Sequence, residues 1–128
     1  EENLQNTHEA KPVHNINEIL YLKKKFLEKI KLYVVFEKES LIAGVVVYEM
    51  KEVCHIQYIS ANERGKEISA LDFLFEYLIK IEFKDKKYFD FGTSTEDNGN
   101  FLNKGLIFQK EGFGARGIVY KQYIYNIK

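Results

Sequence analysis

The fold is decided by residues 53–92, which read VCHIQYISANERGKEISALDFLFEYLIKIEFKDKKYFDFG. The alternating run 53–60 predicts a strand, and the polar run 61–66 predicts a loop. Apolar residues then recur at helical spacing over 68–81, and the aromatic run 87–92 predicts a second strand. A helix between two strands favours a right-handed parallel crossover, so this stretch predicts a β-α-β unit.

The residues before this unit predict a helix followed by a β-hairpin. Apolar side chains recur at helical spacing over 16–30, and Asn15 followed by Glu18 has the pattern of a capping box. Residues 32–37 and 41–50 are strand-like runs separated by a short polar interruption. They predict the two antiparallel strands of a hairpin.

The residues after the unit predict one more helix and one more strand. Residues 93–98 offer several caps for a helix at 99–110, and Gly112 is expected to end that helix in the left-handed conformation. A last strand is expected at 117–127. Antiparallel strands followed by a parallel crossover predict a mixed α/β sheet with helices packed on it, within a single domain over 15–128.

Composition excludes several classes of protein. The chain has 128 residues, 45% of them hydrophobic, and its 19 basic residues balance 19 acidic ones, so it has no net charge that would concentrate nucleic acid. No apolar run approaches the roughly 20 residues that span a bilayer. Cys54 is alone, which excludes an internal disulfide and favours a buried thiol. We expect a cytoplasmic protein, no metal, and a polar arm or linker at 1–14.

The chain begins with Glu1 rather than methionine, and no signal-like leader precedes the predicted elements. The chain is therefore expected to be either processed or cut from a longer one, and we favour the second because the first elements of the full fold are not found in it.

A polar segment at residues 64–69 (RGKEIS) separates a strand from a long helix, and a Gly-Phe pair follows the last predicted helix. This order is similar to the second part of the GNAT acyltransferase superfamily, over residues 32–128. Members bind the donor's pyrophosphate through backbone N–H groups of a loop Arg-x-x-Gly-x-Gly or Ala at a helix start. Here Glu67 replaces the first glycine, and Ser69, also a candidate helix cap, replaces the second. The resemblance implies that acetyl-CoA or another acyl-CoA contacts the following residues: Tyr58, Ile59, Ser60, Arg64, Gly65, Lys66, Ser69 and Phe108.

Residues 103–114 (NKGLIFQKEGFG) resemble the last-helix pattern of the same family. Phe108 falls where many members place the tyrosine that protonates the leaving thiolate, and phenylalanine cannot donate a proton, so another group or water must serve. The strings QYIS (57–60), FDFGTSTE (89–96) and KEGFGAR (110–116) look like the C-terminal half of bacterial Fem-like GNAT proteins. That branch is related to peptidoglycan aminoacyl ligases, which implies aminoacyl-tRNA as an alternative donor.

Three side chains are candidates for acid–base chemistry. His55 can deprotonate an attacking amine, although a hydrogen-bonded structural histidine on a strand is the common alternative. Asp90 lies near the end of a central strand, where ligands bind in open α/β sheets, and together with Ser94 and Glu96 it forms the expected acceptor-side cluster. Glu96 is the expected proton acceptor of the three, because it lies on the following loop and can reach the acceptor. The alternative is that these three residues cap the next helix. The expected acceptor-binding residues are Gln57, Ser94, Asn103 and Arg116.

These features predict an N-acyltransferase that moves an acetyl or aminoacyl group to an amine of a small molecule, a sugar or a peptide. Positioning and backbone donors would supply most of the catalysis. The alternative is a non-catalytic module that keeps the fold for binding or for forming a homodimer, since fold alone does not establish activity. The replacements at Glu67 and Phe108 favour that alternative.

Overall fold

A computed structural model describes residues 14–127, which divide into two compact units, one ending at Gly92 and one beginning at Thr93. The first unit contains strands β1 (Ile30–Glu37), β2 (Ser40–Glu49), β3 (Val53–Ala61) and β4 (Tyr88–Asp90), with helices α1 (Ile16–Lys25), α2 (Glu63–Glu67) and α3 (Ala70–Tyr77), the last continued by a π-helical turn (Leu78–Glu82). The second unit contains a two-stranded hairpin of β5 (Thr95–Glu96) and β6 (Phe101–Leu102) around a 3₁₀ turn (Asp97–Gly99), and helix α4 (Lys104–Gly112).

The four strands of the first unit form one mixed sheet in the order β1-β2-β3-β4. The first three strands pair antiparallel, and β3 pairs parallel with β4 after the crossover through α2 and α3. The predicted hairpin, β-α-β unit and mixed α/β class are therefore confirmed. The capping box of α1 is also present, with the Asn15 side chain accepting from the Glu18 N–H and the Glu18 carboxylate accepting from the Asn15 N–H.

The hydrophobic core lies between α3 and one face of the sheet. Val45, Val47 and Cys54 are fully buried on that face, and Phe75 and Leu78 are fully buried on the helix and its π-helical continuation. Burial raises the pKa of the Cys54 thiol to about 12, in keeping with the predicted buried thiol.

The opposite face, which we call the open face, carries every second residue of each strand. Strand register places Tyr48, His55 and Asp90 in one row across it. Leu32, Val46 and Tyr58 form the next row, and Val34, Gly44 and Ser60 the one after that.

Several local predictions are wrong. Residues 63–67, within and just after the predicted loop 61–66, form α2. Ser69 makes no capping hydrogen bond with its side chain and has a left-handed backbone (φ 54°). The last helix begins at Lys104 rather than 99, because Asn103 caps it, and Gly114 rather than Gly112 has the positive φ after it.

The final predicted strand is also wrong. Residues 117–127 belong to no strand of the described structure. Residues 1–13 and 128 lie outside the described residues, and with them most of the predicted arm.

Candidate functional site

His55 and Asp90 form a hydrogen-bonded pair at the edge of the open face. The Nδ1 atom of His55 lies 2.7 Å from Oδ2 of Asp90, and the two side chains are 25% and 49% exposed. A carboxylate only accepts hydrogen bonds, so Nδ1 carries the proton and, in the neutral ring, Nε2 carries the lone pair. The second carboxylate oxygen accepts from the Gly92 N–H at 2.8 Å, which fixes the orientation of Asp90. A histidine held in this way can take a proton at Nε2.

The second ring nitrogen of His55 faces Gln57, a residue displaced from the ladder by a β-bulge. Val46 pairs with Tyr58 and Val47 pairs with Ile56, so Gln57 is the additional residue on β3. Its side-chain Oε1 lies 3.3 Å from Nε2 of His55. In the neutral ring Nε2 accepts a hydrogen bond, and an amide oxygen cannot donate one. The Gln57 amide is therefore assigned in the flipped orientation, with its NH₂ group toward Nε2. Bulges are frequent beside active sites because they redirect a side chain, and this one directs Gln57 toward His55.

β3 and β4 separate immediately beyond this pair. Their parallel ladder covers only Val53–His55 and Tyr88–Asp90, whereas β3 continues to Ala61. Among the described residues, no strand pairs with the β4-facing edge of β3 over 56–61. An open strand edge presents backbone N–H and C=O groups to an extended ligand that carries amides.

A groove of about 330 Å³ follows the open face next to this edge. Leu32, Val34 and Val46 give it an apolar floor, and Tyr58 and Ser60 contribute hydroxyl groups. The Tyr58 hydroxyl accepts from the backbone N–H of His14 at 3.1 Å and lies 2.9 Å from its Nδ1. Two of the three predicted donor-binding residues of β3 therefore line one groove, whereas Ile59 is partly buried beside them.

Tyr48 is a feature of the site that the sequence did not single out. Its ring lies 6.2 Å from that of His55, centroid to centroid, in the same row of the open face. Its hydroxyl oxygen is buried and has no hydrogen-bond partner among the described residues. Burial raises the pKa of this phenol, so it stays protonated as a donor.

In the turn predicted to hold a pyrophosphate, four backbone N–H groups donate hydrogen bonds within the turn itself. The Gly65 N–H donates to the Asn62 side chain at 2.8 Å, and the Lys66 N–H donates to the Asn62 carbonyl. The N–H groups of Ile68 and Ser69 donate to carbonyls within the same turn. Gly65 itself lies against β2, where a Cβ would meet the backbone carbonyl of Ile42. These N–H groups are therefore already hydrogen-bonded within the turn, which we call the closed turn, and Gly65 allows α2 to pack closely against β2.

The cations of this turn are also paired. Arg64 donates to both oxygens of Glu37, at 2.7 and 2.9 Å, and its Nη1 lies 3.3 Å from the carboxylate of Glu67. Lys66 donates to Glu63 at 2.8 Å. Hydrogen bonds from Arg64 lower the pKa of Glu37. A phosphate bound here must therefore compete with carboxylates for the guanidinium.

The second unit brings together a different set of predicted residues. The side-chain NH₂ of Asn103 donates to Glu96 at 2.7 Å, and its backbone N–H donates to the carbonyl of Ser94. Phe108 is 78% exposed on α4, and Arg116 donates to the carbonyl of Ala115. Glu96 and Ser94 are thus linked to the helix cap, although the cap itself is Asn103.

One sequence signal could have identified more of the site, and one contact of the site has no such signal. The pattern Asn62-x-x-Gly65 is an N-cap followed by an N3 amide, which predicts α2 where we predicted a loop. The contact between His55 and Asp90 depends on the register of β3 against β4, which the crossover sets and the sequence does not show. Within residues 14–127 there is no group of three or more histidine, cysteine or acidic residues that could hold a metal ion, and no helix long and apolar enough to cross a bilayer.

No protein-family model matches this sequence, and none of the curated proteins matches it. Solved structures do share its fold. A protein of Clostridium difficile 630, described as a possible acetyltransferase, matches with TM-score 0.68 and 15% identity over 98% of this chain and 84% of its own. An aminoglycoside acetyltransferase from an uncultured soil metagenomic sample, solved with trehalose, matches with TM-score 0.63 and 14% identity over 99% and 85%.

A third structure is AAC(6′)-Iy in complex with the bisubstrate analog CoA-S-monomethyl-acetylneamine. It matches with TM-score 0.56 and 14% identity over 91% of this chain and 86% of its own. At these identities the likeness concerns the fold, which is that of the GNAT acetyltransferases.

Proposed function

We propose that this protein transfers an acyl group from an acyl-CoA to the amine of a small molecule, with His55 as general base and Asp90 as the residue that positions it. The observation that carries the proposal is the hydrogen-bonded pair His55–Asp90 at the point where β3 and β4 separate. In open α/β sheets, ligands bind at such strand ends. The fold shared with GNAT acetyltransferases supports the same reaction class.

The reaction requires one proton to leave the attacking nitrogen. The amine forms a bond to the thioester carbonyl carbon, the C–S bond breaks, and the thiolate leaves. Nε2 of His55 accepts the ammonium proton, while Asp90 compensates the charge that develops on the ring. The displaced thiolate takes up a proton from water, because Phe108 cannot supply one.

The donor has a binding surface that fits its chemistry. The pantetheine arm of an acyl-CoA is extended and contains two amides, which match the open edge of β3 at 56–61. Tyr58 and Ser60 lie beside this edge. The diphosphate would contact Arg64 and Lys66 after displacing their carboxylate partners.

The acceptor is an amine that reaches His55 across the open face. One protein of similar fold is named for aminoglycosides, which contain amino sugars, and another was solved with the bisubstrate analog CoA-S-monomethyl-acetylneamine. An aminoglycoside, a simple amino sugar and a short peptide therefore form the first acceptor panel.

A second candidate is a binding module without turnover, and the closed turn at residues 62–69 favours it. Thermal-shift titration with acetyl-CoA, using CoA as control, and an assay of thiol release with the acceptor panel separate the two candidates. A ligand at 100 times its Kd stabilises the fold by about 2.7 kcal/mol, a shift of several degrees.

A thermal shift with acetyl-CoA together with thiol release supports the enzyme. A thermal shift without thiol release in the presence of any amine of the panel supports the binding module. No shift at millimolar acetyl-CoA contradicts an acyl-CoA donor. The aminoacyl-tRNA donor suggested by the Fem-like resemblance would then be tested next.

A further inference from the structure

The groove on the open face presents an almost purely apolar surface. Its floor is formed by Leu32 and Val34 of β1 and Val46 of β2, and none of the described residues that line it is charged. Leu32 is 66% exposed and Val34 is 38% exposed, so their side chains lie uncovered within the described range. Concave apolar surfaces of this kind are typical of ligand-binding grooves.

Two of the three polar side chains at the groove are already hydrogen-bonded. Asn62 donates to the Leu41 carbonyl at 3.1 Å and accepts from the Gly65 N–H at 2.8 Å. The Tyr58 hydroxyl is hydrogen-bonded to His14. The groove therefore offers a ligand mainly hydrocarbon contacts, and a hydrocarbon ligand fits it best.

Gly44 lies in the groove and keeps it open. It lies on β2 between Val34 of β1 and Ser60 of β3, in one row of the open face. An added Cβ would lie 3.4 Å from Cγ1 of Val34, 3.4 Å from the Tyr33 carbonyl oxygen and 3.9 Å from Cδ1 of Leu32, which is ordinary van der Waals contact. Glycine weakens the interior of a strand and often marks a place where a ligand approaches closely. Since neither a clash nor a positive φ requires glycine at this position, its effect is to leave space above the sheet.

The groove adjoins the strand edge that would bind the donor. Tyr58 and Ser60 line the groove, and both lie within residues 56–61 of β3, whose β4-facing edge pairs with no strand in the described structure. A pantetheine arm on this edge would place the thioester carbonyl beside the groove. A chain attached to that carbonyl carbon would then cross the sheet toward β1.

The width of the sheet sets the length of chain that fits. Neighbouring strands lie about 4.8 Å apart, so the path from β3 over β2 to β1 is roughly 10 Å. An extended chain advances roughly 1.2 Å per bond, so about eight carbons reach from β3 to β1. An acetyl group would leave most of the groove of about 330 Å³ unfilled.

We propose that the acyl group this protein transfers is a linear hydrocarbon chain of about six to eight carbons, which lies in the groove, and that Gly44 sets its maximum length. The inference rests on the proposed acyl transfer from acyl-CoA and specifies its donor. The amine nitrogen bonds to the carbonyl carbon, the C–S bond breaks, and the products are an N-acyl amide and CoA, whose thiol takes its proton from water. The apolar floor binds the chain, so longer donors are preferred over acetyl-CoA.

Isothermal titration calorimetry of the full chain with saturated acyl-CoAs, from acetyl to decanoyl, tests the proposal. The Kd should fall about two- to fourfold with each added methylene and level off at about eight carbons. A fully buried methylene accounts for about a fourfold change, and the groove is open to solvent on one side, which makes the change smaller.

Gly44→Val places a side chain in the groove. It should raise the Kd for octanoyl-CoA at least about tenfold and leave that for acetyl-CoA within about twofold. Gly112→Val, at a position where an added Cβ meets nothing within 4 Å, is the control and should keep the chain-length series of the wild type. Leu32→Gln is a second test, because Leu32 is more than half exposed and its replacement should leave the fold intact, which circular dichroism checks. Octanoyl-CoA should bind this variant about three- to tenfold more weakly.

The outcomes separate this inference from the proposed function. Equal Kd values for acetyl-CoA and octanoyl-CoA would overturn the inference, leave the acyl-CoA donor in place, and assign the groove to another occupant, such as a segment of this chain or a partner protein. A chain-length series unaffected by both Gly44→Val and Leu32→Gln would overturn the groove as the site. If no acyl-CoA of any length binds, the acyl-CoA donor itself is wrong, and this inference falls with it.

Discussion

Replacing Gly65 with alanine should destabilise the protein strongly, because the glycine lies directly against β2. An added Cβ would lie far inside van der Waals contact of the Ile42 carbonyl oxygen, 3.0 Å from its carbonyl carbon and 3.3 Å from the Cβ of Ala61. The carbonyl belongs to the backbone of a central strand and cannot rotate away. Helix α2 must therefore move outward.

The cost of that movement can be worked out from the contacts it breaks. Overpacking of this kind costs about 1–3 kcal/mol. Moving α2 also strains two hydrogen bonds that tie it to β2, from the Asn62 N–H to Ile42 at 3.0 Å and from the Asn62 side chain to Leu41 at 3.1 Å. Each contributes about 1 kcal/mol, so we expect a total loss of about 3–5 kcal/mol if both are lost, and a Tm lower by roughly 10–20 °C.

Urea denaturation followed by circular dichroism measures this loss, and Gly105→Ala is the matched control. At Gly105 in α4 an added Cβ meets only the Asn103 side chain, at 3.6 Å, so alanine should stabilise by about 0.5–1 kcal/mol. If Gly65→Ala were as stable as the wild type and lost only acetyl-CoA binding, the glycine would serve ligand approach, and the packing account would be refuted.

Three further changes are predicted. Glu67→Gln removes a carboxylate that competes with phosphate for the guanidinium of Arg64, so the Kd for CoA should fall about two- to fivefold in a thermal-shift titration. Glu76→Gln is the control: it breaks the ion pair with Lys80 and should leave that Kd unchanged. Tyr48→Phe removes a buried hydroxyl that has no partner in the described structure and should raise the unfolding free energy by about 1 kcal/mol; a loss instead would reveal a bound partner. Hydrogen bonds from two lysines lower the pKa of Glu49 below 4.5, so its stabilisation is present above that pH and is lost as the pH falls through the folded pKa. The stability difference between wild type and Glu49→Gln should accordingly shrink in acid, and a constant difference would contradict the assignment.

Elements with strong local signals were predictable from the sequence. The capping box at Asn15 and Glu18, the hairpin and the β-α-β unit all depend on patterns within a few residues, and all three are present. α2 was missed because its five residues are polar and include Gly65, which reads as a loop. The reason for that glycine is a tertiary contact with β2, which no local pattern contains.

The candidate site shows the same division. His55 and Asp90 were each predicted as functional residues. Their hydrogen bond, however, joins residues 35 positions apart in the sequence and depends on the register of β3 against β4. Residues 117–127 have strand composition but pair with no strand within the described range 14–127, because composition indicates a preference while a partner strand decides the structure. Tyr48 looked like an ordinary strand residue, and only its buried hydroxyl next to His55 distinguishes it.

The most direct test of the account is kcat/KM for acetyl transfer by the His55→Gln variant relative to wild type, with the best acceptor of the panel. Asp85→Asn, a change at an exposed position between α3 and β4, is the control variant and should have the kcat/KM of the wild type. Loss of a general base at His55 predicts a fall of about 10²–10⁴-fold, with the melting temperature and the Kd for acetyl-CoA little changed. Activity within a few-fold of wild type would show that the pair His55–Asp90 is structural, and the proposed role of His55 as general base would be wrong.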